Sequence, residues 1–168
     1  MAENILRKLV FGEPVSSVLI VDTLDSDAAP IAEHLLRSIA RDSSGSGGTL
    51  QSVSSAGISG ELGLPMSERA KSYLSKRGIS SDGFTARRFD PHMAYSNQLT
   101  LASDMAVKGV LLFLAPGAQI YTVSEYSLTG SDIPPMERLD DESYLSVCDE
   151  LGVMMARVAK RATRNKTF

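Results

Sequence analysis

The chain has 168 residues, enough for one domain that buries most of its apolar surface without staples. With 17 basic against 20 acidic residues it carries −3, which gives no general attraction to polyanions, and 43% hydrophobic residues is ordinary for a globular protein. The single cysteine, Cys148, excludes an internal disulfide and fits a reducing compartment. No apolar run approaches the roughly 18 residues of a membrane span, and Met1 to Phe11 lacks the long apolar core of a secretory signal. A cytoplasmic protein is expected.

Asn4 to Phe11 holds Ile5, Leu6, Leu9, Val10 and Phe11 ahead of the breakers Gly12 and Pro14. It reads as a short helix in an N-terminal extension (residues 1–16) that packs on the domain or docks a partner. Val18 to Val21 is an apolar, mostly β-branched run, the mark of a buried strand. A polar loop, Asp22 to Ala29, leads to Pro30, whose missing N–H costs nothing in a first helical turn. Ile31, Leu35 and Ile39 recur every four residues, so a helix is expected from Pro30 to about Arg41. Strand, loop and helix N-terminus in this order form an anion site, with loop amides and the helix dipole facing the ligand.

Asp42 to Gly48 reads as a flexible loop, and Leu50 to Ser55 as a second strand. It runs into Ser55-Ala56-Gly57-Ile58, where Gly57 supplies a positive φ or a close backbone approach. Pro65 to Gly78 predicts a helix with Ser67 as N-cap, Gly78 as C-cap, and Ala70, Tyr73 and Leu74 inward. Asp90-Pro91 opens a brief helical turn, and Gln98 to Ala102 reads as a third strand. Ser103-Asp104 caps a helix to Leu114, and Ala115-Pro116-Gly117-Ala118 breaks it before a fourth strand, Gln119 to Val123. The last helix spans about Asp141 to Lys160, with Cys148 on its apolar face as a small hydrophobe. Strands alternating with helices imply an α/β fold with a parallel sheet and right-handed crossovers.

The first strand, loop and helix resemble the phosphate loop of low-molecular-weight protein tyrosine phosphatases, C-x5-R-[ST]-P. Pro30-Ile31-Ala32-Glu33 matches that family's helix opening, and Ser55-Ala56-Gly57-Ile58 its S-A-G-T turn. Thr85-Ala86-Arg87-Arg88-Phe89, Leu114-Ala115-Pro116 and Tyr121-Thr122-Val123-Ser124-Glu125-Tyr126 are similar to further segments of bacterial members. The resemblance covers residues 17–162, leaves 163–168 as a basic tail, and implies a three-layer α/β/α fold with a four-stranded parallel sheet. It implies no cofactor.

The same alignment empties the site. Counting back from Pro30, Asp22 stands at the cysteine position, Thr23, Leu24, Asp25, Ser26 and Asp27 in the loop, Ala28 at the arginine and Ala29 at the Ser/Thr. The family's late D-P acid maps onto Pro135 within Asp132-Ile133-Pro134-Pro135-Met136. This chemistry needs a low-pKa thiolate, a guanidinium fork for two phosphoryl oxygens and an acid for the leaving group. Two unit charges about 4 Å apart repel by about 4 kcal/mol at an effective dielectric near 20, so three loop aspartates are expected to repel phosphate.

Other chemistry weighs less. A nucleophilic aspartate in D-x-D-x-[TV] fails, because Leu24 and Ser26 occupy the second and third positions counted from Asp22. Asp22, Asp25 and Asp27 are hard ligands for a divalent cation, but the helix N-terminus behind them is positive. The simpler expectation is that Asp27 caps the helix and the other two face water. His34 and His92 have no ligand partner at metal spacing, and no aromatics interleave the bases Arg157, Lys160, Arg161, Arg164 and Lys166, so nucleic acid is not expected. The expectation is a catalytically inactive relative of the phosphatases that binds or regulates a protein partner, or pairs with itself. The alternatives are an enzyme that uses Asp22 and a cation or small-molecule binder at the acidic loop.

Overall fold

Every residue of the first strand, β1 (Ser17–Asp22), from Val18 onward is buried, because the sheet is covered on both faces. The computed structural model describes residues 14–43 and 50–163. The expected helix at Asn4 to Phe11 and the loop from Ser44 to Gly48 lie outside them, as do Arg164 and Lys166.

The remaining strands are β2 (Ser52–Gly57), β3 (Leu99–Ala102) and β4 (Ile120–Thr122). All pair in parallel, in the order β2-β1-β3-β4. The helices are α1 (Ala28–Asp42), α2 (Glu68–Lys76), α3 (Pro91–Ser96), α4 (Met105–Leu114), α5 (Val123–Ser127) and α6 (Asp141–Thr163), with a 3-10 turn at Met136–Arg138.

Side chains of β1 divide between two cores as the pleat demands. Val18 and Ile20 pack with Ile31 and Leu36 of α1, Leu74 of α2 and Leu151 and Met155 of α6. Leu19 and Val21 face the other way, onto Ala94 of α3 and Val107 and Leu111 of α4. Burying each such aliphatic side chain contributes roughly 1.5–3 kcal/mol, so β1 anchors both layers. This is the three-layer α/β/α arrangement with a four-stranded parallel sheet.

Local signals placed most boundaries. Ser67 accepts from the Ala70 amide, Asp90 from His92 and Asp104 from Val107, each fixing a helix start. Several boundaries differ from the sequence reading: β2 runs Ser52–Gly57 rather than Leu50 to Ser55, α2 is shorter than the expected Pro65 to Gly78, and α6 continues past Lys160 to Thr163. Helix α1 begins at Ala28, with Pro30 in its first turn, where a missing N–H still costs nothing. The fourth strand stops at Thr122, because Thr122 and Glu125 form a reciprocal capping box that opens α5. Among the described residues no helix is long and apolar enough to cross a membrane.

Candidate functional site at the carboxyl edge of the sheet

Parallel strands bring their carboxyl ends to one edge, where β1 hands the chain to the loop Asp22–Asp27. The segment that follows β2 straps this loop from outside. The Ile58 amide donates to the Asp22 carbonyl at 3.0 Å and the Ser59 amide to that of Thr23 at 2.7 Å. Gly57 permits the approach: a Cβ there would stand 2.6 Å from the Asp25 nitrogen and the Leu24 carbonyl carbon. Close approach, not a positive φ, is therefore what the position requires. The positive φ, +55°, belongs to Asp25, a residue type that tolerates the left-handed region.

The Asp22 carboxylate turns back into its own loop. Oδ1 accepts from the Asp25 amide at 2.6 Å and Oδ2 from the Ala29 amide at 2.9 Å. The donors that a phosphate loop directs at a ligand are thus spent on a side chain of the loop itself. Burial pushes the Asp22 carboxyl up to about 7, against the two amides, which favour its charged form; the neighbouring Asp25 and Asp27 charges push the same way as burial.

Asp25 is 0% exposed. Its Oδ2 accepts from the Arg87 amide at 2.9 Å, while Oδ1 has no hydrogen-bond donor among the described residues. The Ser55 hydroxyl stands beside it, but its one proton goes to Glu33 Oε2 at 2.6 Å. Glu33 also pairs with Arg37. Burial raises the Asp25 carboxyl above its ordinary range, and a proton of its own would satisfy the buried oxygen.

Asp27 behaves differently from both expectations for it. It holds the N-cap position of α1, yet its carboxylate caps no amide. Its Oδ1 accepts from the Tyr144 hydroxyl at 2.6 Å and from the Ser67 hydroxyl, and Oδ2 from the Ser26 hydroxyl at 2.9 Å. The side-chain bond to the α1 N-terminus comes from Asp22 instead. Nor do the other aspartates face water, since Asp22, Asp25 and Asp27 are all buried. N–H and O–H donors point at five of their six carboxylate oxygens, and among the described residues no group of three His, Cys, Asp or Glu could hold a metal ion.

What is left open to solvent is a cleft of about 50 Å³. Ligand pockets run to roughly 300–1,000 Å³, whereas a water takes about 30 Å³, so the cleft has room for a water or two. Thr23, Leu24, Ser26 and Ala28 line it with four acids, Asp22, Asp27, Asp104 and Glu137, and no Lys or Arg. Ala28 and Ala29 are buried where a guanidinium and a hydroxyl would stand. The Arg87 guanidinium is turned away, onto the Ser55 carbonyl at 2.9 and 3.1 Å.

Pro135 lines the cleft and offers no proton. The preceding Asp132 is committed elsewhere, accepting from the Met105 amide at 3.0 Å and the Ser124 hydroxyl at 2.9 Å. Asp104, Glu137, Ser67 and Tyr144 are site residues that the sequence reading missed or assigned only to helix capping. Asp104 was recoverable, because it follows a parallel strand and must share Asp22's edge. Cys148 is fully buried in α6, and burial pushes its thiol up to about 12, so it offers no nucleophile. His34 is buried against the Pro30 carbonyl at 2.7 Å, and His92 is exposed in α3.

Solved structures share the architecture. YfkJ from Bacillus subtilis is 24% identical with a TM-score of 0.81, over 92% of this chain and 99% of that one. The tyrosine phosphatase Wzb from Escherichia coli K30, in complex with sulphate, is 23% identical with a TM-score of 0.77, over 88% and 98%. The YwlE arginine phosphatase from Geobacillus stearothermophilus is 23% identical with a TM-score of 0.78, over 90% and 95%. No curated protein sequence matches the chain. The sequence pattern of the family described as low molecular weight phosphotyrosine protein phosphatase matches residues 17–167, and the chain belongs to that family.

Proposed function

We propose that this protein is a catalytically silent member of the family, a pseudophosphatase that works in the cytoplasm by binding a protein partner or a second copy of itself. One observation carries the reading: the Asp22 carboxylate accepts from the loop amides of Asp25 and Ala29, the groups that would otherwise cradle a phosphoryl oxygen. The loop holds its own anion. Ala28 in place of a guanidinium and Pro135 in place of an acid support the same conclusion, as does a cleft too small for an aryl phosphate.

Asp22 is also a poor nucleophile in this setting. Both of its oxygens are held by amides and aimed into the loop, and no Lys or Arg lines the cleft to neutralise an attacked phosphoryl group. The acidic lining is likewise unsuited to nucleic acid.

The test is hydrolysis of an aryl phosphate with and without Mg²⁺, against an Asp22→Ala control, together with melting curves in phosphate, sulphate and vanadate. The expected result is no turnover above the control and no anion-dependent shift. A ligand at ten times its Kd would add roughly 1.4 kcal/mol, a readable change in Tm. Turnover that depends on Asp22 would establish an enzyme instead, and stabilisation by Mg²⁺ alone would establish a cation site.

A further inference from the structure

Helix α4 reads Met105-Ala-Val-Lys-Gly-Val-Leu-Leu-Phe-Leu114, apolar on every side, yet only Val107 and Leu111 of its ten residues are buried. A helix that is apolar all round is ordinarily enclosed. Here Phe113 is 84% exposed, Met105 56%, Leu112 46% and Val110 40%. At about 100° per residue, Ala106, Gly109 and Phe113 fall within roughly 60° of one another, on the face opposite Val107 and Leu111. Lys108 is the one charged residue of the helix, and it is turned aside to Glu125 Oε2 at 2.7 Å.

Gly109 adds a second observation. Glycine inside a helix is unfavourable relative to alanine, and it leaves a hollow where a side chain would stand. At Gly109 an added Cβ would meet nothing within 4 Å. Gly152 of α6 is equally open, so it is the hollow at Gly109 together with the exposed Phe113 on one stripe, rather than the glycine alone, that suits the approach of another helix. We propose that this outward face is a self-association surface, on which α4 of a second copy packs antiparallel, each Phe113 seated over Ala106 and Gly109 of the other.

The face is self-complementary, as a two-fold contact must be, because the large residue and the shallow spot stand one turn apart on one stripe. Its extent is sufficient. A Phe side chain carries on the order of 150 Å² or more, and with its aliphatic neighbours the face presents about 500 Å² per copy, so two copies reach the roughly 1,000 Å² of a biological interface. No charge on the stripe would be stripped of water, which favours a second copy over an acidic or basic peptide. A lipid surface would want bases beside the apolar residues, and the exposed residues of α4 include none.

The inference stands apart from the silent loop: turnover tests that reading, and oligomeric state tests this one. Sedimentation velocity on the whole chain, from low micromolar to several hundred micromolar, should show a reversible monomer–dimer equilibrium. Phe113→Ser should raise the dimer Kd at least about tenfold, as loss of a central aromatic anchor does. Gly109→Leu should do the same by filling the hollow, with circular dichroism and Tm of the monomer undiminished. Leu128→Ser, at an exposed residue outside α4, should leave the equilibrium unchanged. A monomer at every concentration overturns the proposal, whether residues 1–13 cover the face or a different partner does. A dimer indifferent to both α4 substitutions overturns it as well.

Discussion

The loop Asp22–Asp27 and the outer face of α4 break the usual partition of residues in opposite directions. The loop buries three carboxyl groups; the helix exposes a row of apolar side chains. A buried carboxylate survives only if donors replace water. Around the loop they do, through the amides of Asp25, Ala29 and Arg87 and the hydroxyls of Ser26, Ser67 and Tyr144. The imbalance there is settled inside the molecule at five of the six carboxylate oxygens, and at the sixth, Asp25 Oδ1, the raised carboxyl can carry its own proton. On α4 nothing in the described residues covers Phe113 or Leu112, so that imbalance points outward. An anomaly that is internally satisfied is structural, and one that is not is a candidate for recognition.

The comparison breaks most sharply at Asp27. Asp27→Ala removes the acceptor for three hydroxyls, two of them from α6 and the segment before α2, and leaves the buried Tyr144 hydroxyl with only the half-buried Ser67 hydroxyl, 3.5 Å away, to turn to. The expected cost is about 3 kcal/mol in urea unfolding, from the loss of charged hydrogen bonds and the desolvation of what remains. Phe113→Ser, measured on the monomer, should stay within about 0.5 kcal/mol, as exposed positions do. If the two costs came out equal, the distinction between the regions would fail.

Acidity sharpens it next. The Asp22 carboxyl is raised to about 7 from an ordinary 3.8, and the Asp25 carboxyl is raised too, both chiefly by burial. Between those values the folded chain holds a proton that the unfolded chain has released, so stability falls as pH rises. This contribution is complete below about pH 3.8 and disappears as pH climbs through about 7. From pH 5 to pH 8 Asp22 alone should cost roughly 2–3 kcal/mol, since each tenfold difference in proton affinity is worth about 1.4 kcal/mol. Denaturation midpoints across this range should slope downward in the wild type and flatten in Asp22→Ala. A slope that persists unchanged would place the titrating groups elsewhere. The raised carboxyls also correct the picture of three full repelling charges, because near neutrality part of the loop's charge is already taken up by protons.

Tyr144→Phe is milder. It removes one of three hydroxyls from Asp27 and keeps the ring that packs under the Arg69 guanidinium, 4.1 Å from its centroid. About 1.5 kcal/mol is expected, the ordinary worth of a hydrogen bond to a charged group. A loss as large as that of Asp27→Ala would mean that Tyr144 alone holds the network.

These partners also mark where the sequence stopped being legible. Strand β1, helix α1 and the caps at Ser67, Asp90 and Asp104 could be read because their causes lie within a few residues. The Thr122-x-x-Glu125 capping box was equally local, but the apolar alternation from Gln119 to Val123 looked like a longer strand and hid it. The fate of Asp27 could not be read at all, since Tyr144 lies 117 residues further along the chain. Spacing near an aspartate shows that it can cap a helix; it does not show which distant hydroxyl outbids the amide. The absence of cysteine, arginine and acid was plain from position alone, whereas the reuse of the empty cradle by Asp22 needed the fold of the loop.

The smallest effect is the most discriminating, because its sign reverses between two measurements. Gly109→Ala adds a methyl group at a helical position where an added Cβ meets nothing within 4 Å, so no clash opposes it in the monomer. Alanine restricts the unfolded chain and suits a helix better, and the monomer should gain about 0.5–1 kcal/mol. Measured at low concentration, Tm should therefore rise. In the proposed dimer the same methyl group lifts the partner's Phe113 out of the hollow, and association should weaken as folding strengthens. Opposite signs in the two measurements would tie the hollow at Gly109 to association rather than to the fold. If Gly109→Ala instead destabilises the monomer, the glycine serves its own chain, and the hollow on the face of α4 no longer speaks for a second helix.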